Sequence, residues 1–139
     1  MNKQSSKIVI PCCDSYEFIE LSNIIRFEGL QNYTKVYIIG SKPVVSSTNI
    51  GYFKTSLQNQ GFFCCHKSHL VNEKHILRYL KSGLLELSDD SSVPVSRRKR
   101  PVFLAAILEK FSPQQDKDKD GEPVLVKMPI QELQQSSYQ

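Results

Sequence analysis

Thr34-Lys35-Val36-Tyr37-Ile38-Ile39, followed by Gly40-Ser41-Lys42-Pro43 and then Val44-Val45-Ser46, is the stretch from which the fold can be read. Lys35, Tyr37 and Ile39 alternate with Val36 and Ile38, which is the period of a strand with Val36 and Ile38 facing inward. A Gly-Ser-Lys-Pro turn then reverses the chain, and the β-branched run after it starts a new strand. The same alternation extends both ways along the chain.

Upstream, Lys7-Ile8-Val9-Ile10-Pro11 and Tyr16-Glu17-Phe18-Ile19-Glu20-Leu21 form two short strands joined by a turn at Asp14-Ser15, and Ile24-Ile25-Arg26-Phe27-Glu28-Gly29 forms another. Downstream, Phe62-Phe63-Cys64-Cys65, Ile76-Leu77-Arg78-Tyr79-Leu80, Leu84-Leu85-Glu86-Leu87 and Val93-Pro94-Val95 repeat the pattern. Ser82-Gly83 and Ser88-Asp89-Asp90-Ser91-Ser92 supply the turns between them. Two helices interrupt the strands. The first is capped by Thr48 or Asn49, aligns Ile50, Phe53 and Leu57 on one face, and ends at Gly61. The second covers residues 102–111, with Phe103 and Ile107, extended by Phe111, on one face. Proline is tolerated only near a helix start, so Pro101 places the first turn of that helix near Lys99 or Arg100 and leaves Arg97 and Arg98 in an irregular turn. Strands that run consecutively, without alternating helices, predict a mainly β protein of antiparallel sheets with two short helices.

Composition bounds what such a chain can be. At 139 residues, with 40% hydrophobic and 23% charged residues, it is sized and composed for one globular domain. No stretch approaches the roughly 20 apolar residues of a membrane span, and the start Met1-Asn2-Lys3-Gln4-Ser5-Ser6 has no apolar signal core, so a cytoplasmic protein without an export signal is expected. Residues 1–111 carry 15 Lys and Arg against 9 Asp and Glu, while residues 112–139 carry 3 against 5. A basic body with an acidic appendage fits a polyanion-binding domain, and equally an ordinary surface imbalance. The Asp116-Lys117-Asp118-Lys119-Asp120-Gly121 run cannot pack, so residues 1–7 are expected as an N-terminal tail, 8–111 as the domain and 112–139 as a polar tail. Val124-Leu125-Val126 is the apolar island in that tail.

Four cysteines stand as the adjacent pairs Cys12-Cys13 and Cys64-Cys65. Neighbours in a strand point to opposite faces and cannot easily bond each other or share a metal, and Cys64-Cys65-His66-Lys67-Ser68-His69 matches no standard zinc spacing. Buried thiols, no metal and no cofactor are expected. The glycines make no phosphate loop, Asp89-Asp90 sits in a serine-rich turn, and nothing places an orienting carboxylate beside His66 or His69, so no catalytic role is assigned.

The cations suggest a site instead. Arg97-Arg98-Lys99-Arg100 precedes Pro101 at the start of a helix, where cations oppose the macrodipole. A choice that costs local stability points to a function that wants the charge, such as phosphate contact; the alternative is a solvated run serving solubility. His66-Lys67-Ser68-His69-Leu70-Val71-Asn72 is a second candidate, a loop with polar and cationic side chains after a strand, although Leu70 and Val71 are core-like and Asn72 can serve as a cap. Gln31-Asn32-Tyr33-Thr34-Lys35, a polar turn with one aromatic, is a third.

In order, Ile24-Ile25-Arg26-Phe27-Glu28, Asn32-Tyr33, Phe62-Phe63, His66-Lys67-Ser68-His69-Leu70-Val71-Asn72 and Val93-Pro94-Val95-Ser96-Arg97-Arg98 resemble the LytTR domain of bacterial response regulators over residues 8–111. The resemblance implies an elongated, mainly antiparallel β fold that binds double-stranded DNA through loops entering successive grooves. It implies a transcription regulator acting at paired direct-repeat promoter sites, with a second copy alongside. By position, Lys67 and Arg97 match the family's base-contacting residues, and Tyr33 and Thr34 fall in its remaining contact loop. Cys64 stands where the family commonly has Arg, and His69 where it has Tyr or Phe. The DNA-binding set expected is Tyr33, Thr34, Lys35, His66, Lys67, Arg97, Arg98, Lys99 and Arg100. The alternative is a non-catalytic β-rich protein-interaction module, and a third a small metal-binding protein.

Overall fold

Residues 34–38 of the stretch whose alternation set the expectation lie next to the middle of the main sheet in the computed structural model, which describes residues 6–111, while Ile39 falls in the turn after it. The strands are β1 (Lys7–Pro11), β2 (Tyr16–Glu20), β3 (Ile24–Leu30), β4 (Tyr33–Ile38) and β5 (Val44–Ser46). After helix α1 (Ile50–Ser56) come β6 (Phe62–His66), β7 (His69–Asn72), β8 (Ile76–Leu80), β9 (Leu84–Leu87) and β10 (Ser92–Pro94). They form a β1-β2 hairpin, a five-stranded sheet in the order β5-β4-β3-β7-β6 and a three-stranded sheet in the order β10-β9-β8. Every pairing is antiparallel, so the fold is the mainly β, antiparallel one expected.

One expectation fails at β7. Residues 69–72 are a strand paired with both β3 and β6, and the candidate loop shrinks to the two residues Lys67 and Ser68. Leu70 and Val71 are adjacent and both buried, so this strand is covered on both faces. A strand buried on both sides loses the alternation by which strands are recognised. Asn72 is the cap foreseen for it: its Oδ1 accepts from Lys74 N at 3.0 Å, while its Nδ2 donates to the carbonyls of Leu21 and Ile24.

The core of the main sheet gathers Ile10, Ile24, Phe27, Val36, Phe53, Leu57 and Leu70. Val36 and Leu70 are the inward residues of β4 and β7, while Phe53 and Leu57 come from α1, with the Phe27 and Phe53 rings stacked at 4.8 Å. Asn49 caps α1 by accepting from Tyr52 N at 3.3 Å, which decides between the two foreseen caps. Gly29 is what lets this helix approach the sheet: a Cβ there would stand 3.0 Å from Ile50 Cγ2. Burying the seven-membered cluster rather than helix propensity holds α1, because a helix this short is marginal alone.

The chain from Pro101 forms a unit of its own. A 3-10 turn at Arg97–Lys99 precedes the helix, which is α-helical at α2 (Arg100–Phe103), widens to a π segment at Leu104–Leu108 and closes as α3 (Glu109–Phe111). Pro101 is therefore the second residue of the α-helical part, where its missing N–H costs nothing. Phe103 and Ile107 are buried, as their spacing implied. The Phe111 side chain, residues 1–5 and the tail with Val124-Leu125-Val126 lie outside the described residues.

Candidate nucleic-acid interface

Antiparallel pairing brings distant segments to one end of the main sheet. β3 ends where β4 begins, with Leu30 opposite Tyr33, and β6 ends where β7 begins, with His66 opposite His69. Because Glu28 pairs with His69, these two turns sit side by side, and the Gly29 N–H donates to the Ser68 carbonyl at 2.9 Å between them. The third segment is fastened alongside β6: the Ser96 N–H donates to the Cys65 carbonyl at 2.8 Å, and Lys99 Nζ donates to the Cys64 carbonyl at 3.1 Å. All three candidate segments thus converge on one end of one sheet, although more than 60 residues separate the first from the last in sequence.

Side chains within this set have different tasks. Tyr33 is 54% exposed, and Lys67, Arg97 and Arg98 are exposed. Arg97 and Arg98 lie in the 3-10 turn, whose Lys99 N–H closes back on the Ser96 carbonyl at 2.8 Å, so both point outward from a fixed backbone. Lys35 is half-buried, with its ammonium 5.4 Å from the centre of the Tyr37 ring. His66 is half-buried, and its Nδ1 accepts from the Ser68 N–H at 3.1 Å, bracing the turn.

One expected contact needs correction, and two further expected residues are hydrogen-bonded within the protein. Thr34 is fully buried, with Oγ1 donating to the Thr48 carbonyl at 2.7 Å, so its hydroxyl faces the segment leading into α1 and not solvent. Thr34 shares with Val36 the inward side of β4, as period two requires once the strand is paired. Lys99 is committed to Cys64, and Arg100 to the Val95 carbonyl through Nε at 3.1 Å. Both are half-buried, and their bonds tie down the backbone next to Arg97 and Arg98.

The outer face of the sheet is polar and interlocked. Arg26 lies 3.8 Å over the Tyr37 ring, reaches Glu28 at 3.7 Å and donates to Ser91 Oγ at 3.2 Å. Tyr37 donates its hydroxyl proton to Glu28 at 2.8 Å. His69, opposite Glu28, has a buried Nδ1 without a hydrogen-bond partner, and burial lowers its pKa; Glu28 opposes that shift, while Arg26 and His66 add to it. Cys65 is buried and its thiol is pushed up to about 12, mainly by burial, so it behaves as a small apolar residue; Cys13, by contrast, is exposed. Among the described residues no group of three or more His, Cys, Asp or Glu could hold a metal ion, and no helix is long and apolar enough to cross a membrane.

Sequence reading missed Lys54 of α1, whose ammonium donates to the Lys67 carbonyl at 2.7 Å. No local signal marks it, since the contact joins a helix to a turn 13 residues away.

The sequence matches no curated protein. Among solved structures, the chain is similar to the LytTr DNA-binding domain of a putative methyl-accepting/DNA response regulator from Bacillus cereus. That match has 21% identity and a TM-score of 0.62, and covers 74% of this chain and 96% of that one. Residues 14–107, well over half of the chain, match the family pattern of the LytTr DNA-binding domain. The chain belongs to that family, and it is a DNA-binding module of the kind used in transcription regulation.

Proposed function

We propose that this domain reads the sequence of double-stranded DNA with the end of its five-stranded sheet. The observation that carries the proposal is the convergence there of three turns that expose Tyr33, Lys67 and Arg97-Arg98. Lys67 and Arg97 enter successive major grooves and contact base edges. Arg suits the two acceptors of guanine through its planar fork, and Lys reaches the same edge as a single mobile donor. Arg98 and Lys35 neutralise phosphates, and Tyr33 packs against the backbone from the first turn. Two copies occupy adjacent direct repeats at a promoter, which makes the chain a sequence-specific bacterial transcription regulator.

Selection of bound duplexes from a random pool tests this reading and yields the operator in the same step. A recurring motif repeated at a fixed spacing is the expected result. Affinity for that motif should fall steeply with salt, with a log–log slope on the order of −3 to −6. A pool that stays unenriched at low salt would overturn the proposal.

A further inference from the structure

We propose that Lys54 is a positioning residue for sequence readout: it holds the Lys67-Ser68 turn in the orientation that aims Lys67 at the bases. The role rests on the reading of the DNA interface given above. Lys54 stands in the last turn of α1, next to Phe53, which is fully buried in the core. A helix anchored by its neighbour makes a rigid base for the lysine stem. From there Nζ donates to the Lys67 carbonyl at 2.7 Å, a short, charge-assisted bond.

The turn that receives this bond has only two residues, Lys67 and Ser68, between paired His66 and His69. Its Ser68 carbonyl accepts from Gly29 of β3 at 2.9 Å, and its Ser68 N–H donates to His66 of β6 at 3.1 Å. The Ser68 N–H and the Lys67 carbonyl are the two ends of one planar peptide, so His66 holds one end and Lys54 the other. With only the His66 bond the plane can still swing about that single contact, and Lys54 supplies the second point that sets its tilt. Pinning a lysine at a half-exposed position costs rotamer entropy, which the charge-assisted bond to the Lys67 carbonyl offsets. Base contacts demand placement within about half an ångström, which an untethered two-residue tip does not supply. The ammonium also sits beside the peptide that carries Lys67, and repulsion between the two cations favours an outward Lys67 side chain.

A phosphate contact by Lys54 is the competing role, and the two predict different binding behaviour. The full chain, Lys54→Met, Lys67→Ala and the double variant are titrated on the duplex selected by the wild type and on a scrambled duplex of equal length. Positioning predicts that Lys54→Met weakens binding to the selected duplex by roughly three- to thirtyfold, the span usual for residues coupled through a contact. Affinity for the scrambled duplex and the salt slope should stay unchanged, and in the Lys67→Ala background the Lys54→Met effect should vanish. In the free protein, hydrogen exchange at the Lys67 and Ser68 amides should quicken, while exchange at core amides such as Phe27 and Val36 stays slow and so excludes unfolding.

Equal losses on both duplexes, with a salt slope smaller by about one, would make Lys54 a phosphate contact and overturn the proposal. Additive effects of the two substitutions, or unchanged discrimination by Lys54→Met, would also overturn it. A wild-type chain that selects no duplex would instead remove the DNA reading itself, and this role with it.

Discussion

Lys99 donates from Nζ to the carbonyl oxygen of Cys64 at 3.1 Å, so the third residue of the basic run ties the run to the middle of β6. Arg100 continues the attachment through Val95, and a side chain at Gly83, where φ is +100°, would run into the Arg100 guanidinium. The four cations therefore divide into two that build the turn and two that it displays. Lys99→Met and Arg100→Met should each lower unfolding stability by about 1 kcal/mol, the usual worth of a partly exposed hydrogen bond. Arg97→Ala and Arg98→Ala should stay within about 0.5 kcal/mol of wild type. Denaturant titration of the four variants checks the division.

On DNA the ranking should reverse. Arg97→Ala and Lys67→Ala should each cost about 1–3 kcal/mol on the selected duplex and relax preference at the bases they contact. Arg98→Ala should weaken binding by a similar factor on all sequences, as a lost phosphate contact does. Parallel titrations on matched and scrambled duplexes separate the two patterns. Binding of Arg97→Ala indistinguishable from wild type would remove this arginine from the interface.

Thr34 provides a control inside the first contact segment. Replacing it with Val removes the hydroxyl that satisfies the Thr48 carbonyl, at nearly constant volume. Stability should drop by about 1–3 kcal/mol, the cost of a buried group left unpaired. Discrimination between matched and scrambled duplexes should be unaffected, because the side chain does not reach solvent. Thermal melting and duplex titration together test both halves.

His69 should make stability depend on pH. Its pKa is lowered from 6.5 in the folded chain, chiefly by burial, so the folded state binds protons less readily than the unfolded one. Acidification below the ordinary histidine value therefore favours unfolding, and the loss continues until the folded-state value is passed. Between about pH 8 and about pH 5 the denaturation midpoint should fall, and His69→Phe should flatten that dependence. A midpoint with the same pH profile in both proteins would show that another group is responsible.

Much of the fold was legible from short-range pattern. β1, β5 and β8 to β10 fall within a residue or so of their expected positions, because each pairs with a sequence neighbour across a turn marked by Gly, Pro, Ser or Asp. β7 escaped, because a strand covered on both faces has no alternation, and the Lys67-Ser68 turn before it reads as part of a longer loop. The three candidate segments were each visible as polar or cationic interruptions between strands, but their side-chain roles were not. Thr34 and Tyr33 look alike as polar turn residues, yet one is fully buried with its hydroxyl on the Thr48 carbonyl and the other is open to solvent.

The sequence by itself determined the class of fold, the places where the chain turns, the late start of the last helix at Pro101 and the family. These follow from local alternation, turn chemistry, proline geometry and a spaced motif. Only the tertiary structure decided which cations are exposed and which are hydrogen-bonded to the protein. Arg97, Arg98, Lys99 and Arg100 are alike in charge, and Pro101 separates turn from helix start among them without saying which cation is hydrogen-bonded to the protein. The Cys64 carbonyl becomes a neighbour of Lys99 only in the folded chain, 35 residues away in sequence, whereas the Val95 carbonyl that takes Arg100 is five residues away. The Lys67 tip likewise acquires its Lys54 anchor only when α1 packs on the sheet, because hydrogen bonds between distant elements depend on how those elements dock.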